Sequence, residues 1–158
     1  MKHTGFQSVE LAKAVDVCLK MKKEGAKIFL TFTSNMVTSG LRGLFAQLIE
    51  LGLVDVIVTT VGAVEEDIMK ANKEQFPIGS FSSDDVELYE KGVNRVGNLY
   101  ITNETYGNFE NTMTGYIKDA YAKQKRWTPS DLFTFIGKKL DDTSSILYQA
   151  TKNDVPIF

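Results

Sequence analysis

Two short stretches carry the residues whose types and spacing suit ligand chemistry. Thr33-Ser34-Asn35 and Thr59-Thr60-Val61-Gly62 each follow a brief run of apolar, β-branched or aromatic residues and each precede a helical pattern. In a parallel sheet both would lie at the same edge, between a strand end and a helix N-terminus. Helix N-termini offer unpaired N–H groups and a partial positive charge, which suit anions such as the pyrophosphate of a dinucleotide. Hydroxyls and an Asn amide beside them add donors for phosphate or ribose. The same residue types also cap helices and shape turns. Neither turn carries a G-x-G-x-x-G string, the usual dinucleotide fingerprint, so spacing alone leaves the two readings level.

Glu65 and Glu66 follow the second stretch and open a helix. Acids in a first turn interact favourably with the helix dipole, by about 0.3–1 kcal/mol each. A pair of carboxylates would also suit a ribose or a cationic substrate such as a polyamine, and position does not choose between the two. Cys18 falls on an apolar stripe and is expected in the core. Trp127, just before a helix start, is expected to act as a packing staple. The one histidine, His3, lies near a terminus without a spaced partner, so no nucleophile–base pair and no metal site is visible. These residues describe a binding half-site without catalytic machinery of its own.

The elements that must position this site follow from periodicity. Residues 8–24 read as an amphipathic helix with Ser8 as N-cap and Gly25 as its end; Leu11, Val15, Cys18 and Leu19 form its stripe. Residues 27–32 predict a strand buried on both faces. A polar stretch over 33–40 and a helix over 41–51, closed by Gly52, come next. The order then repeats: a strand over 54–60, a tight turn over 61–64, and a helix over 65–72. Residues 83–91 predict a short helix, 96–101 a third strand, and 109–123 a longer helix. Thr128-Pro-Ser-Asp131 has the sequence of a helix start, with Thr as N-cap and Pro at the first helical position. A last helix is expected over 144–152, and Val155-Pro-Ile-Phe158 reads as the opening of a fourth strand.

Strands alternating with helices of this size imply βαβ units. The expected fold is α/β and Rossmann-like: one domain over residues 1–158, a mostly parallel sheet with helices on both faces, incomplete where the fourth strand opens. Apolar Val155, Ile157 and Phe158 on an unpaired edge would invite association. With 18 Lys+Arg against 20 Asp+Glu the formal charge is −2, which gives no general case for nucleic acid. One cysteine excludes an intrachain disulfide. No apolar run nears the roughly 20 residues that span a bilayer, and Met1-Lys-His-Thr-Gly lacks a signal-peptide core. A cytoplasmic location away from membranes is expected.

Several strings are similar to those of the deoxyhypusine synthase family. They are Phe32-Thr-Ser-Asn-Met-Val-Thr-Ser-Gly-Leu-Arg42, Val54-Asp-Val-Ile-Val-Thr-Thr-Val-Gly-Ala-Val-Glu-Glu-Asp67 and Val93-Asn-Arg-Val-Gly-Asn-Leu99. Asn103-Glu-Thr-Tyr-Gly-Asn-Phe-Glu110, Trp127-Thr-Pro-Ser130 and Lys152-Asn-Asp-Val-Pro-Ile-Phe158 complete the set. The resemblance runs in order from Thr4 to the last residue and corresponds to the N-terminal half of the family.

The resemblance implies NAD as cofactor and spermidine as substrate. It implies transfer of the aminobutyl group of spermidine, through an enzyme lysine, to one lysine of the precursor of translation initiation factor 5A. By motif match, Ser34, Asn35, Met36, Val37 and Thr38, with Thr33 adjoining, would contact NAD, as would Thr60, Val61, Gly62 and Glu66. Glu65 and Glu66 would meet spermidine. It also implies homotetramers with active sites between paired subunits. Three departures matter. Val61-Gly62-Ala63 stands where many members have Ala-Gly-Gly, the family's longer N-terminal extension is missing, and so is the later segment with the catalytic lysine. No lysine present, Lys138 and Lys139 included, matches that lysine, so no catalytic residue is assigned here. The leading expectation is a split enzyme whose lysine comes from a second, C-terminal-half chain. The alternatives are a non-catalytic, self-assembling regulatory paralogue, a homospermidine synthase-like activity with a small amine as acceptor, and a truncated gene product.

Overall fold

The computed structural model describes residues 3–158; Met1 and Lys2 of the N-terminal reading lie outside the described residues. Helix α1 (Ser8–Lys23) leads to strand β1 (Phe29–Phe32), then to a short helix α2 (Ser34–Met36) and a π turn over Val37–Leu41. Helix α3 (Arg42–Glu50), strand β2 (Val56–Thr59) and helix α4 (Val61–Ala71) repeat the order. Helix α5 (Asp85–Glu90), strands β3 (Val93–Val96) and β4 (Leu99–Thr102), and helices α6 (Asn103–Lys123), α7 (Pro129–Gly137) and α8 (Ile146–Lys152) complete it.

The parallel sheet is small. β1 pairs with β2 from Phe29 opposite Val56 to Phe32 opposite Thr59. The expected fourth strand forms on the other side of β2. The Ile57 amide donates to the Pro156 carbonyl (3.0 Å), and the amides of Phe158 and Thr59 exchange bonds with Ile57 and Phe158 at 2.9 Å. Ile157 is therefore paired and buried, not displayed on an open edge, and only Phe158 of that segment is strongly exposed. Leu30, Phe32 and Ile57 face a core built with Phe45, Ile49, Val64, Ile68, Ile136, Ile146 and Leu147. The rings of Phe32 and Phe45 stack at 4.1 Å.

Other sequence expectations change as well. β1 was expected to be buried on both faces, but Phe29 is 62 % exposed and Thr31 is exposed, because the helices of the core lie against the other face. The third strand of the parallel sheet is instead an antiparallel hairpin, β3–β4, in which Val93 faces Thr102 and Val96 faces Leu99. Gly97 (φ +63°) turns the chain between them, a two-residue connection that only antiparallel strands accept. Cys18 is exposed, as are its neighbours Leu11, Val15 and Leu19; the stripe exists but Ala12 is the buried residue of α1. The N-cap of α1 is Gln7, and the Ser8 hydroxyl instead donates to the Gly5 carbonyl.

Local signals elsewhere hold. Thr128 accepts from the Asp131 amide with Pro129 at the first helical position. Gly52 (φ +64°) follows α3, and the Leu53 amide returns to the Leu48 carbonyl. Trp127 is the expected staple: its indole donates to the carbonyls of Ala120 and Gln124 and its ring meets Phe135 at 5.1 Å. No helix among the described residues is long and apolar enough to cross a membrane.

Candidate functional site

Because β1 and β2 are parallel and end side by side at Phe32 and Thr59, the two ligand-type stretches leave the sheet as neighbours. Thr33 and Thr60 both hold extended backbone and start α2 and α4. Their contact is direct: the Ser34 amide donates to the Thr60 hydroxyl at 3.0 Å. One residue earlier, the Thr59 hydroxyl donates to the Phe32 carbonyl at 2.7 Å. A Cβ on Gly62 would stand 3.1 Å from Ser34 Cβ, so the two turns pack as closely as a glycine permits. An open groove of about 390 Å³ runs past Thr31, Thr33, Val58 and Thr60. These features suit the phosphate and ribose of a nucleotide cofactor: hydroxyls on a rim, a glycine at the approach, and the N-terminus of an eleven-residue helix behind it.

The polar stretch after β1 is helical from Ser34, and the expected tight turn over 61–64 is the first turn of α4. Glu65 and Glu66 consequently sit in the second turn, where the dipole account loses its force because the effect fades beyond the first. Glu66 is buried, and the Thr38 hydroxyl stands 2.7 Å from both of its carboxylate oxygens and 3.1 Å from the Ser34 carbonyl. Burial pushes the Glu66 carboxyl above the usual range; the Thr38 hydroxyl and Lys70 oppose this, and Glu65 adds to it. Burial raises Glu65 as well. Tyr106 of α6 is raised first by burial and then by both acids, which puts a phenol in electrostatic reach of the pair.

Each sequence-predicted residue has a distinct place. Asn35, Met36, Thr60 and Val61 are exposed, Val61 by 74 %, and Ser34, Gly62 and Glu65 are half-buried among them. Thr38 and Glu66 are buried beneath this rim, and Val37 lies in the hydrophobic core at 0 % exposure, its carbonyl taken by Lys70 at 2.7 Å.

Sequence reasoning passed over the frame that holds α4. Asp67 is fully buried and accepts from Arg42 Nε (2.5 Å), the Ser145 hydroxyl (2.8 Å) and the amides of Ile146 (3.1 Å) and Leu147 (2.8 Å). Arg42 also reaches Asp142 at 2.9 Å. Burial pulls the Asp142 carboxyl upward, but the Ser144 amide and the Arg42 guanidinium outweigh it and hold it below its ordinary value. The available signal was Asp67 itself, an acid immediately before Ile68 and Met69 in a helix otherwise turned to the core.

Comparison with known proteins adds a family frame. The family model described as deoxyhypusine synthase matches residues 1–158. The "Deoxyhypusine synthase" of Senecio vernalis is 44% identical over 136 residues, covering 84% of this chain and 36% of that protein. The "Probable deoxyhypusine synthase" of Halobacterium salinarum is 42% identical over 155 residues, covering 98% of this chain and 47% of that protein. A crystal structure described as "a putative deoxyhypusine synthase from Entamoeba histolytica" superposes with a TM-score of 0.72 at 31% identity, covering 99% of this chain and 54% of that one. The chain spans about half the length of the relatives it matches.

Proposed function

The chain belongs to the deoxyhypusine synthase family, and from that premise we propose that it supplies the NAD- and spermidine-binding half-site of a deoxyhypusine synthase-like transferase. In this reading the catalytic lysine comes from outside these 158 residues, on a C-terminal-half chain that completes the site. The acceptor is a lysine of the translation initiation factor 5A precursor.

The observation that carries the reading is the Ser34 amide–Thr60 hydroxyl bond, which ties two helix starts from neighbouring parallel strands into one rim above a buried acid. Ser34, Asn35, Met36, Thr60, Val61 and Gly62 would hold NAD there, with Val37 and Thr38 supporting the turn from below. NAD, if bound there, would supply a hydride acceptor for oxidation of the amine of spermidine. Glu65 and Glu66 would offer negative charge to the ammonium groups of spermidine. Glu66 is partly shielded from water, so its attraction for a cation is stronger than that of a surface carboxylate.

Co-expression with the C-terminal half of a family member tests this directly. NAD-dependent transfer of label from spermidine to the factor 5A precursor is the expected result. No transfer at saturating NAD and spermidine would count against it. A second reading, a self-assembling regulatory paralogue, draws on the exposed apolar residues of α1 and β1; native mass spectrometry of the protein from its own source, showing only multiples of 17.6 kDa, would favour it. Supplying putrescine instead of the protein acceptor tests the homospermidine alternative.

A further inference from the structure

We propose that Lys70 is a positioning residue for the Glu66 carboxylate, holding the turn that carries Thr38 and placing a positive charge within electrostatic reach of that carboxylate. The inference rests on the polyamine reading of that site and names a residue no motif match assigns.

Lys70 lies one helical turn beyond Glu66 on α4. Its ammonium points away from solvent: Nζ donates to the Val37 carbonyl at 2.7 Å, stands 3.4 Å from the Thr38 carbonyl, and lies 4.6 Å above the Phe76 ring. Those two carbonyls open the π turn, in which Gly40 breaks the helical conformation at φ +106°. A π turn replaces the i→i−4 bonds of an α-helix with wider ones, and the ammonium adds a donor to the two carbonyls at its opening. The same turn carries the Thr38 hydroxyl that meets both oxygens of Glu66. Lys70 thus acts on Glu66 twice, through Thr38 and through space.

The charged and titratable groups around this pair are Glu65 on α4, Tyr106 from α6, and Arg42 and Asp67 on the far side of Lys70. Burial opposes charge on both Lys70 and Glu66, while each favours the charged form of the other. A long cation with an aromatic ring beneath it can stay charged in such a place, because the ring face and the carbonyl dipoles replace part of its hydration.

The test reads Glu66 without any ligand. With ¹³C-labelled glutamate in the full chain and Glu66→Gln to assign the signal, the carboxyl titration is followed by NMR in wild type, Lys70→Met and Lys70→Arg. Lys70→Met should raise the Glu66 midpoint by about one unit, as expected for loss of a close opposite charge, and Lys70→Arg should restore most of it. If Lys70→Met disturbs folding, Lys70→Gln, which keeps a polar donor at the turn, gives the same comparison. In the assembled enzyme Lys70→Met should move upward the pH at which spermidine KM rises, by the same amount as the Glu66 midpoint, a shift that general loosening of the fold would not produce. An unchanged Glu66 midpoint overturns the inference whatever the wild type does with spermidine. A wild-type complex that ignores spermidine, with the Glu66 shift present, overturns the functional reading instead.

Discussion

Arg42 and Asp67 meet at 2.5 Å in the interior, where the two side chains are 9% and 1% exposed. Arg42 opens α3 and Asp67 lies two residues after Glu65 on α4, so this pair joins the two helices that follow the ligand-type turns. Through Ser145 and the first amides of α8 it also fixes the start of the helix that leads into the 155–158 strand. With four donors on its two oxygens, this acid ties α3, α4 and the start of α8 together.

Removing Asp67 should therefore be costly. Asp67→Ala leaves a buried guanidinium facing the orphaned α8 amides, and breaking a buried pair from one side costs about 3–5 kcal/mol. Urea unfolding followed by circular dichroism should show the unfolding free energy fall by that amount. A loss below about 1 kcal/mol would mean that water or Asp142 takes over the arginine.

Glu66 should behave in the opposite sense. Its carboxyl is raised in the folded state by burial, so the native protein holds the proton more tightly than the unfolded chain. Stability linked to Glu66 is then fully present below the ordinary glutamate range and is lost as pH rises through the raised value. Glu66→Gln should stabilise the protein at neutral pH, by about 0.5–2 kcal/mol, and flatten this part of the stability–pH curve. The same variant should lose spermidine binding in the completed enzyme. Thermal melts between acid and neutral pH, with and without the substitution, check both the sign and the window.

The α7–α8 contact depends on one missing side chain. A Cβ at Gly137 would overlap the Thr151 hydroxyl and come within 2.7 Å of the Leu147 carbonyl, which belongs to backbone and cannot swing aside. Gly137→Ala should cost about 1–3 kcal/mol, the usual range for overpacking. The double variant Gly137→Ala/Thr151→Ala removes the hydroxyl but leaves the Leu147 clash and should recover little. Recovery to wild-type stability would show that the hydroxyl alone sets the spacing.

Association is the fourth expectation. The chain exposes 10065 Å², whereas a closed monomer of this mass exposes about 7,900 Å². Large apolar residues are among those exposed: Leu11, Val17 and Leu19 on α1 and Phe29 on the uncovered face of β1 are each more than half exposed. Contiguous exposed apolar surface marks interaction sites. Sedimentation at micromolar concentration should show species heavier than 17.6 kDa, and Leu19→Asp or Phe29→Asp should reduce them. A single 17.6 kDa species at high concentration would overturn the expectation.

What the amino-acid sequence determined by itself is local. Thr128-Pro129 starts a helix and Gly52 ends one. In each case the outcome depends on a backbone dihedral, a missing N–H or a side-chain cap within a few residues. The family strings pointed to the same rim. Which surface each element buries was decided by tertiary packing. The α1 stripe at Leu11, Val15 and Cys18 has helical period but meets no core, because periodicity records that a face is apolar and not what lies against it. Residues 93–102 fold back as a hairpin because Gly97 reverses the chain, though the same apolar run would suit a parallel strand. Glu66, Asp67 and Lys70 carry ordinary surface side chains in the sequence. They become a buried acid, a helix-joining acid and an inward cation only because Thr38, Arg42 and Ser145 arrive from 28, 25 and 78 residues away to satisfy them. A buried charge is stable only where its partners are already placed, and that placement exists only in the folded chain.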